Sequence, residues 1–240
     1  MDLKKFGMPR NQLKIIAILT MICDHATKIF VDKSDSFYYI GRSIIGRISF
    51  PIFCVLFVEG YFRTTNKKKH LLTLAILTIV SEPLFDKVLH QAWFYPKKQS
   101  VMLTWFVCYI FMIILDKLKT MDFLDEIGLD WPAYILVIGL FSGFSVAVNF
   151  DYSLVAILSV CACYFLHQFE KLPLGLSGIA VSLLDGGLVE DSYGALLAIP
   201  FILLYNPSLK NKYRMKWLSY SYPVHLAILY VIYGLVRGVW

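Results

Sequence analysis

Residues 12–31 read QLKIIAILTMICDHATKIFV, a run that is apolar except at a few positions. About 20 apolar residues in a helix cross the hydrocarbon core of a bilayer, so this run predicts a membrane-spanning helix. It also carries adjacent Asp24 and His25. Ionisable side chains inside a span are costly and usually face a bundle interior or a cavity, which makes this pair a candidate site.

The composition extends the same prediction to the whole chain of 240 residues. Its hydrophobic share is 58%, its charged share 17% and its mean hydropathy +0.63, whereas a soluble domain carries about 25% charged residues. One compact core could not bury this much apolar surface. We therefore expect an all-α fold, a polytopic transmembrane helical bundle forming a single domain over residues 1–240.

Charge and cysteine usage exclude two other classes of site. The net charge is +6, but the basic residues form short clusters between apolar runs, which indicates a membrane protein and argues against nucleic-acid binding. The five cysteines all lie inside apolar runs and lack the spacing of zinc ligands, so no metal is expected.

The apolar runs predict nine spans, within a range of eight to ten. Their limits are residues 12–31, 44–62, 70–89, 101–118, 131–148, 152–167, 173–186, 193–205 and 219–236. The seventh and eighth are short enough to form a broken or re-entrant pair. A cytoplasmic N-terminus places most Lys and Arg residues in the inner segments, as the positive-inside rule requires. We expect a multi-pass protein of the cell membrane.

Several further ionisable residues lie within or beside these spans. His25 suits proton transfer because its unperturbed pKa lies near neutrality, while Asp24 has a competing partner in Lys28 one helical turn on. Arg47 lies deeper in the second span than Arg42, for which snorkelling to the headgroups is the competing interpretation.

Two prolines accompany the remaining candidates. Pro83 follows Glu82 and precedes Asp86, and a proline kink beside a carboxylate can open a polar pocket. Pro223 precedes His225, a second histidine inside a span, for which packing and pocket lining are both open. Glu59 and Arg63 fit a simple ion pair four residues apart.

A series of motifs along nearly the whole chain resembles the TraX family of membrane acetyltransferases. It comprises residues 13–17 (LKIIA) with 21–25 (MICDH), 46–53 (GRISFPIF), 58–64 (VEGYFRT), 81–86 (SEPLFD), 151–152 (DY) and 222–226 (YPVHL). Residues 99–104 (QSVMLT) match the family pattern poorly. The namesake acetylates the N-terminus of a pilin, and the family is similar to wider membrane acyltransferases in which a histidine of an early span is central.

The resemblance implies an acetyltransferase that takes its acetyl group from cytoplasmic acetyl-CoA. His25 then acts as general base or carries the acetyl group briefly, Asp24 or Glu82 orients it, and Arg47 stabilises developing negative charge or binds the acceptor. The implied acceptor is an amine or hydroxyl of an exported pilin-like protein or a surface glycan.

Two sets of residues complete this hypothesis. The phosphates of acetyl-CoA are expected at the inner basic residues Arg63, Lys67, Lys68, Lys69, Lys210 and Lys212, and the acceptor at Arg42, Asp86 and His225. Two other classes stay open: a proton-coupled transporter or flippase, since buried Asp, Glu and His also form proton relays, and a non-catalytic assembly factor for surface fibres.

Overall fold

The first apolar run forms one continuous helix, α1, from Arg10 to Phe30. It begins after the extended Pro9 and ends where Val31 returns to extended backbone. Leu13, Ala17 and Met21 face the interior at helical spacing, and Asp24 and His25 continue this buried face. The run that carries the candidate pair is therefore packed against the rest of the protein along its length.

The computed structural model describes residues 7–168, 174–188, 192–209, 211 and 215–237. Its helices after α1 are α2 Ser36–Tyr39, α3 Ser49–Arg63, α4 Lys67–His90, α5 Val101–Lys119, α6 Asp122–Glu126, α7 Asp130–Ala147, α8 Ser153–Gln168, α9 Leu174–Leu188, α10 Ala198–Leu203 and α11 Ser221–Arg237. Short 3-10 turns, Tyr193–Leu197 and Lys216–Tyr220, lead into α10 and α11. The all-α prediction is confirmed.

The helix that follows α1 is continuous from Ser36 to Arg63 but irregular in its first half. A π-helical turn, Ile40–Ile45, and a 3-10 turn, Gly46–Ile48, separate α2 from α3. Glycines let this irregular part approach α1: a Cβ on Gly46 would lie 2.6 Å from the Cβ of Asp24. The break thereby places the segment before Arg47 directly against the Asp24–His25 turn.

Hydropathy and length separate the nine predicted spans into two groups. Within the described residues, four helices are long and apolar enough to cross a membrane: Ser36–Arg63, Val101–Lys119, Asp130–Ala147 and Trp217–Arg237. The count of nine is thus not reached by these criteria. α1 and α4 are long enough but carry charged residues inside, and three further apolar helices, Ser153–His167, Leu176–Leu188 and Tyr193–Leu203, are shorter.

Large apolar side chains cover much of the outer surface. On α7 only Ser145 is buried, while Ile135, Leu136 and Leu140 are more than three-fifths exposed. A surface of this kind would be insoluble in water but is satisfied by lipid chains. The chain is a membrane protein.

One carboxylate ties four helices together at one end of the bundle. Asp116 of α5 accepts hydrogen bonds from Tyr61 of α3 at 2.5 Å and from Tyr164 of α8 at 2.6 Å, and it pairs with Lys67 at the start of α4. Lys67 also lies 4.1 Å from the centre of the Tyr61 ring. This cluster fixes the relative positions of the helices that surround the candidate site.

Candidate functional site

A cavity of about 400 Å³ lies between α1, α3, α4, α5 and the start of α11. It follows α1 from Arg10 to His25, which is about 22 Å of helix at 1.5 Å per residue. One end, the Arg10 end, is lined by Arg10, Lys14, Gly60, His70, Thr73 and Ser219. The other, the His25 end, is lined by Asp24, His25, Val101, Met102, Asp151, Tyr152 and Tyr222. The cavity suits a long, thin ligand.

The Arg10 end is positively charged and held in place by a buried carboxylate. Glu59 is only 2% exposed and pairs with Arg10, whose guanidinium also donates to the Leu56 carbonyl at 2.8 Å. Glu59 further accepts from the Tyr205 hydroxyl and lies 2.9 Å from the Arg63 guanidinium. Arg10 is therefore oriented before any ligand arrives.

Lys14 lies one turn further along α1 and lines the same end of the cavity. Its ammonium donates to the Ser219 hydroxyl at 3.1 Å, and the ring of His70 stands on the opposite wall beside Tyr109. Three nitrogen-bearing side chains thus surround this end, and they could bind an anionic group such as a phosphate.

Aromatic rings line the middle of the cavity. The ring centres of Phe57 and Trp105 lie 4.7 Å apart, and Phe50 stacks on Tyr152 with ring centres 3.8 Å apart. Trp105 and Phe50 are also in contact, which makes the row continuous. An apolar or weakly polar chain passing between the two ends would lie against these rings.

Two histidines form a direct hydrogen bond at the other end. The Nδ1 atom of His25 lies 2.7 Å from Nε2 of His225, and the second nitrogen of His225 lies 2.9 Å from the Ser221 carbonyl oxygen. The two rings are almost coplanar, with 4° between their planes. Such geometry is that of an in-plane hydrogen bond and not of a face-to-face stack.

The Ser221 carbonyl determines where the protons lie in this pair. A carbonyl only accepts, so Nδ1 of His225 must donate to it, and in a neutral ring this leaves Nε2 as the acceptor. His25 must then donate from Nδ1, and its own Nε2 keeps the free electron pair. His25 lines the cavity, so the pair presents an unprotonated nitrogen of a buried, fixed ring.

Asp24 lies beside this nitrogen, but its carboxylate is paired with Lys28. Its Oδ2 accepts from Lys28 at 2.5 Å and lies 3.9 Å from Nε2 of His25. The other oxygen, Oδ1, has no hydrogen-bond partner among the residues that the structure describes. The competing ion pair with Lys28 is therefore present, and Asp24 still faces His25 closely enough to stabilise a positive charge there.

Arg47 lies behind the cavity wall at the His25 end. Its guanidinium donates to the Tyr152 hydroxyl at 3.2 Å and lies 5.6 Å from the centre of that ring. Tyr152 itself has φ near +60°, an uncommon backbone conformation for a residue with a side chain. Arg47 thus reaches the cavity through Tyr152, and its Nε has no partner within the described part of the chain.

Glu82 and Asp86 do not line the cavity. Glu82 accepts from the Ser100 amide at 2.9 Å and from the Ser100 hydroxyl at 2.6 Å, which caps the first turn of α5. Asp86 accepts from the Tyr95 amide at 2.7 Å and so holds the loop after α4. Glu82 is thus placed at the start of α5 and Asp86 at the loop after α4, and neither is placed beside His25.

Four of the six basic residues that were expected to bind phosphates do not line the cavity. Arg63 pairs with Glu59 and Lys67 with Asp116, while Lys68 and Lys69 are exposed at the start of α4. Lys210 and Lys212 lie outside the described residues. Arg42 lies on the π-helical turn, 5.9 Å from the centre of the Tyr38 ring.

Apart from Asp24 and His25, the residues that line the cavity were not among the predicted site residues; the polar ones include Arg10, Lys14, His70 and Tyr222. In the sequence the first three stand at span ends, where a basic residue is expected for topology alone. Asp151 and Tyr152 appear only within the family motifs, and the structure places both at the His25 end, with Asp151 bonded to Lys98 at 3.3 Å. In the sequence nothing distinguishes these residues from others near them. Their position around the cavity is what identifies them.

Comparison with known proteins agrees with the motif series. A family model described as "TraX protein" matches residues 9–233. The "Probable fimbrial assembly protein FimC, serogroup H1" of Dichelobacter nodosus is 34% identical over 75 residues, which cover 31% of this chain and 30% of that protein. The match thus spans less than a third of the length of that relative. No solved structure matches the chain.

Proposed function

The chain belongs to the TraX family, and from this premise we propose that it is a multi-pass acetyltransferase of the cell membrane. It would move an acetyl group from cytoplasmic acetyl-CoA to an amine or hydroxyl of an exported or surface acceptor. The observation that carries the proposal is the His25–His225 pair at one end of a long cavity whose other end is basic.

In this proposal the donor would occupy the cavity in three parts. Arg10, Lys14 and His70 would take its phosphates, and the aromatic row would hold the thin pantetheine arm. The thioester would then lie at the His25 end. This arrangement replaces the exposed lysines of α4 with Arg10 and Lys14 as the main phosphate ligands, because only the latter line the cavity. Lys68 and Lys69 would then act at longer range, through attraction.

His25 would serve as general base through its free Nε2. It would take the proton from the acceptor amine or hydroxyl while that group bonds to the acetyl carbon. The carbon–sulfur bond then breaks, and His25 returns the proton to the departing thiolate, so that CoA leaves as a thiol. Asp24, 3.9 Å from Nε2, would stabilise the charged imidazole between the two proton transfers.

His225 would position His25. By accepting from Nδ1, it holds the ring and its tautomer, as a carboxylate does in the serine hydrolase triad. His225 would therefore act through His25 and would not contact the acceptor directly. The acceptor would approach at the His25 end, where Arg47 supports Tyr152; Arg42 and Asp86 remain candidates for the outer approach.

The relative from Dichelobacter nodosus supports an exported protein as acceptor, since its name refers to fimbrial assembly. The same name favours a second candidate, a non-catalytic factor for fibre assembly. The two differ in one consequence: an assembly factor would tolerate the loss of His25, and an acetyltransferase would not.

Binding and thioester cleavage by the purified protein test the proposal. We expect saturable binding of CoA and acetyl-CoA by calorimetry, and slow hydrolysis of acetyl-CoA that is lost in His25→Ala. His167→Ala is a matched control, because His167 stacks on Phe62 away from the cavity. Absence of binding to the folded protein would contradict the proposal and favour a transporter. Hydrolysis that persists in His25→Ala would remove its central residue.

A further inference from the structure

A second carboxylate, that of Asp151, lies at the His25 end of the cavity, in the loop between α7 and α8. Among the described residues that line the cavity, the only other acid is Asp24, which is 8% exposed and paired with Lys28. The Asp151 side chain is 19% exposed, and its charge interacts electrostatically with His25. Asp151 is therefore the accessible anion beside the proposed general base.

Hydrogen bonds hold this loop before any ligand arrives. The Gln99 amide donates to the Asn149 carbonyl at 3.3 Å, and the side-chain amide of Asn149 donates to the Lys97 carbonyl at 2.5 Å. The Thr104 hydroxyl of α5 donates to the Asp151 carbonyl at 3.0 Å. The Asp151 side chain is thus carried by backbone that is fixed both to α5 and to the loop before it.

One oxygen of Asp151 already has a cationic partner. Nζ of Lys98 lies 3.3 Å from Oδ1, and the Lys98 side chain is 46% exposed. An ion pair that is this exposed adds little to stability, and the backbone joins the two loops without it. Oδ2 has neither a hydrogen bond nor an ion pair in the part of the chain that the structure describes, and it is accessible. Asp151 can therefore bind a second cation.

A carboxylate at this place distinguishes between the two classes of acceptor, amine and hydroxyl. An α-amino group has a pKa of about 7.7–8.0, so it is mostly an ammonium at neutral pH, whereas a hydroxyl is neutral. The ammonium forms a charge-assisted hydrogen bond with a carboxylate, which is about twice as strong as a bond between neutral groups. The Asp151 carboxylate thus favours the amine.

We propose that Asp151 binds the acceptor as an ammonium and so selects amines over hydroxyls. The ammonium donates to Oδ2 and competes with Lys98 for the same carboxylate. It loses one proton to water, and the neutral amine then gives a second proton to His25 as it bonds to the acetyl carbon. Asp151 forms no covalent bond. This assignment rests on the acetyltransferase function proposed above.

Two probes of nearly the same shape test the assignment: glycinamide carries an amine, and glycolamide carries a hydroxyl in its place. Glycinamide should saturate the release of CoA from acetyl-CoA by the wild type. Glycolamide should compete with an inhibition constant at least about 10-fold above the KM of glycinamide.

Asp151→Asn keeps the shape of the side chain and removes its charge. We expect the KM for glycinamide to rise about 10-fold or more with kcat within about 3-fold, since the lost contact stabilises ground state and transition state alike. The inhibition constant of glycolamide should stay unchanged. Asp32→Asn is the matched control, because this carboxylate lies in an exposed turn after α1 and outside the cavity.

Lys98→Gln distinguishes acceptor binding from a structural role of the pair. Removal of the competing ammonium should lower the KM for glycinamide by up to about 5-fold, so the substitutions of Asp151 and Lys98 act in opposite directions. A pair that only joined the two loops would affect both variants alike.

The outcomes separate the two proposals. A wild type that neither binds nor cleaves acetyl-CoA overturns both. A wild type that cleaves acetyl-CoA overturns the role of Asp151 alone if it does not acetylate glycinamide, if the KM is unchanged in Asp151→Asn, or if both substitutions raise it. Equal constants for the two probes on the wild type overturn that role even where a variant fails to fold.

Discussion

His25 and His225 are joined by a hydrogen bond of 2.7 Å between Nδ1 and Nε2, although 200 positions separate them in the chain. The first and last helices of the described structure therefore meet in one side-chain pair. Because Ser221 fixes the proton on His225, the direction of this bond is determined, and with it the free electron pair on His25.

Substitutions of His225 should separate positioning from binding. We expect His225→Phe to lower the rate of acetyl-CoA cleavage by about 10²-fold, the lower range for general-base assistance. His225→Gln should recover part of this loss, because its amide oxygen can accept from Nδ1 of His25 as the imidazole does. Calorimetry should show unchanged affinity for CoA in both variants. Equal rates in His225→Phe and wild type would show that His25 needs no partner.

The location of the proposed phosphate site can be tested by charge removal. Arg10→Gln and Lys14→Gln should each weaken CoA binding roughly 10-fold or more, since a hydrogen bond to a charged group contributes about 1.5–3 kcal/mol. Pantetheine, which lacks the phosphates, should bind both variants as it binds wild type. Combined substitution of Lys68 and Lys69 by glutamine should have a smaller effect that disappears at high salt. A larger loss of CoA affinity from the Lys68 and Lys69 substitutions than from those of Arg10 and Lys14 would place the phosphate site at the start of α4.

The pair formed by Asp24 and Lys28 should show strong coupling. Lys28→Met leaves a largely buried carboxylate unpaired, and we expect it to lower the free energy of unfolding more than Asp24→Asn does. The double variant should be more stable than the sum of the single losses implies, with a coupling of about 0.5–3 kcal/mol. Additive losses in detergent unfolding would show that solvent or another group already compensates Asp24.

Gly46 and Gly139 provide matched positions for a packing test. A Cβ at Gly46 would meet Asp24, whereas nothing lies within 4 Å of the same atom at Gly139. We expect Gly46→Ala to destabilise the protein by about 1–3 kcal/mol through overpacking. Gly139→Ala should leave stability unchanged or raise it by up to about 1 kcal/mol. Thermal unfolding of both variants measures the difference directly.

The fold class could be predicted because hydropathy is a local property. Residues 101–118 and 131–148 were predicted as spans on composition alone, and α5 and α7 occupy nearly these limits. The irregular turns between Ser36 and Ser49 were not predicted, since they depend on how Gly46 packs against Asp24. The count of nine is not reached because α1 and α4 carry charged residues inside, and because three further apolar helices are too short to meet the same criteria.

The candidate site was predictable only in part. The cost of burying an ionisable group singles out Asp24, His25, Arg47 and His225, and the structure places all four around the His25 end. The burial cost could not indicate that His225 contacts His25, because this contact depends on the packing of α11. Glu82 was singled out by the same cost, yet its partner is the first turn of α5. Arg10 and Lys14 were not predicted as site residues, because membrane topology alone accounts for basic residues at the start of the first span.

The distance between the two histidines along the chain also has a consequence for biosynthesis. At about 5–20 residues per second, the ribosome needs roughly 10–40 s after His25 to reach His225. During this interval α3 and α4 are made, which with α1 supply Arg10, Lys14, Gly60, His70 and Thr73 of the Arg10 end, whereas Ser219 of the same end and His225 are made only at its close. Until then the ring of His25 lacks the partner to which its Nδ1 donates. The His25–His225 pair can therefore form only after the segment that carries α11 has been synthesised.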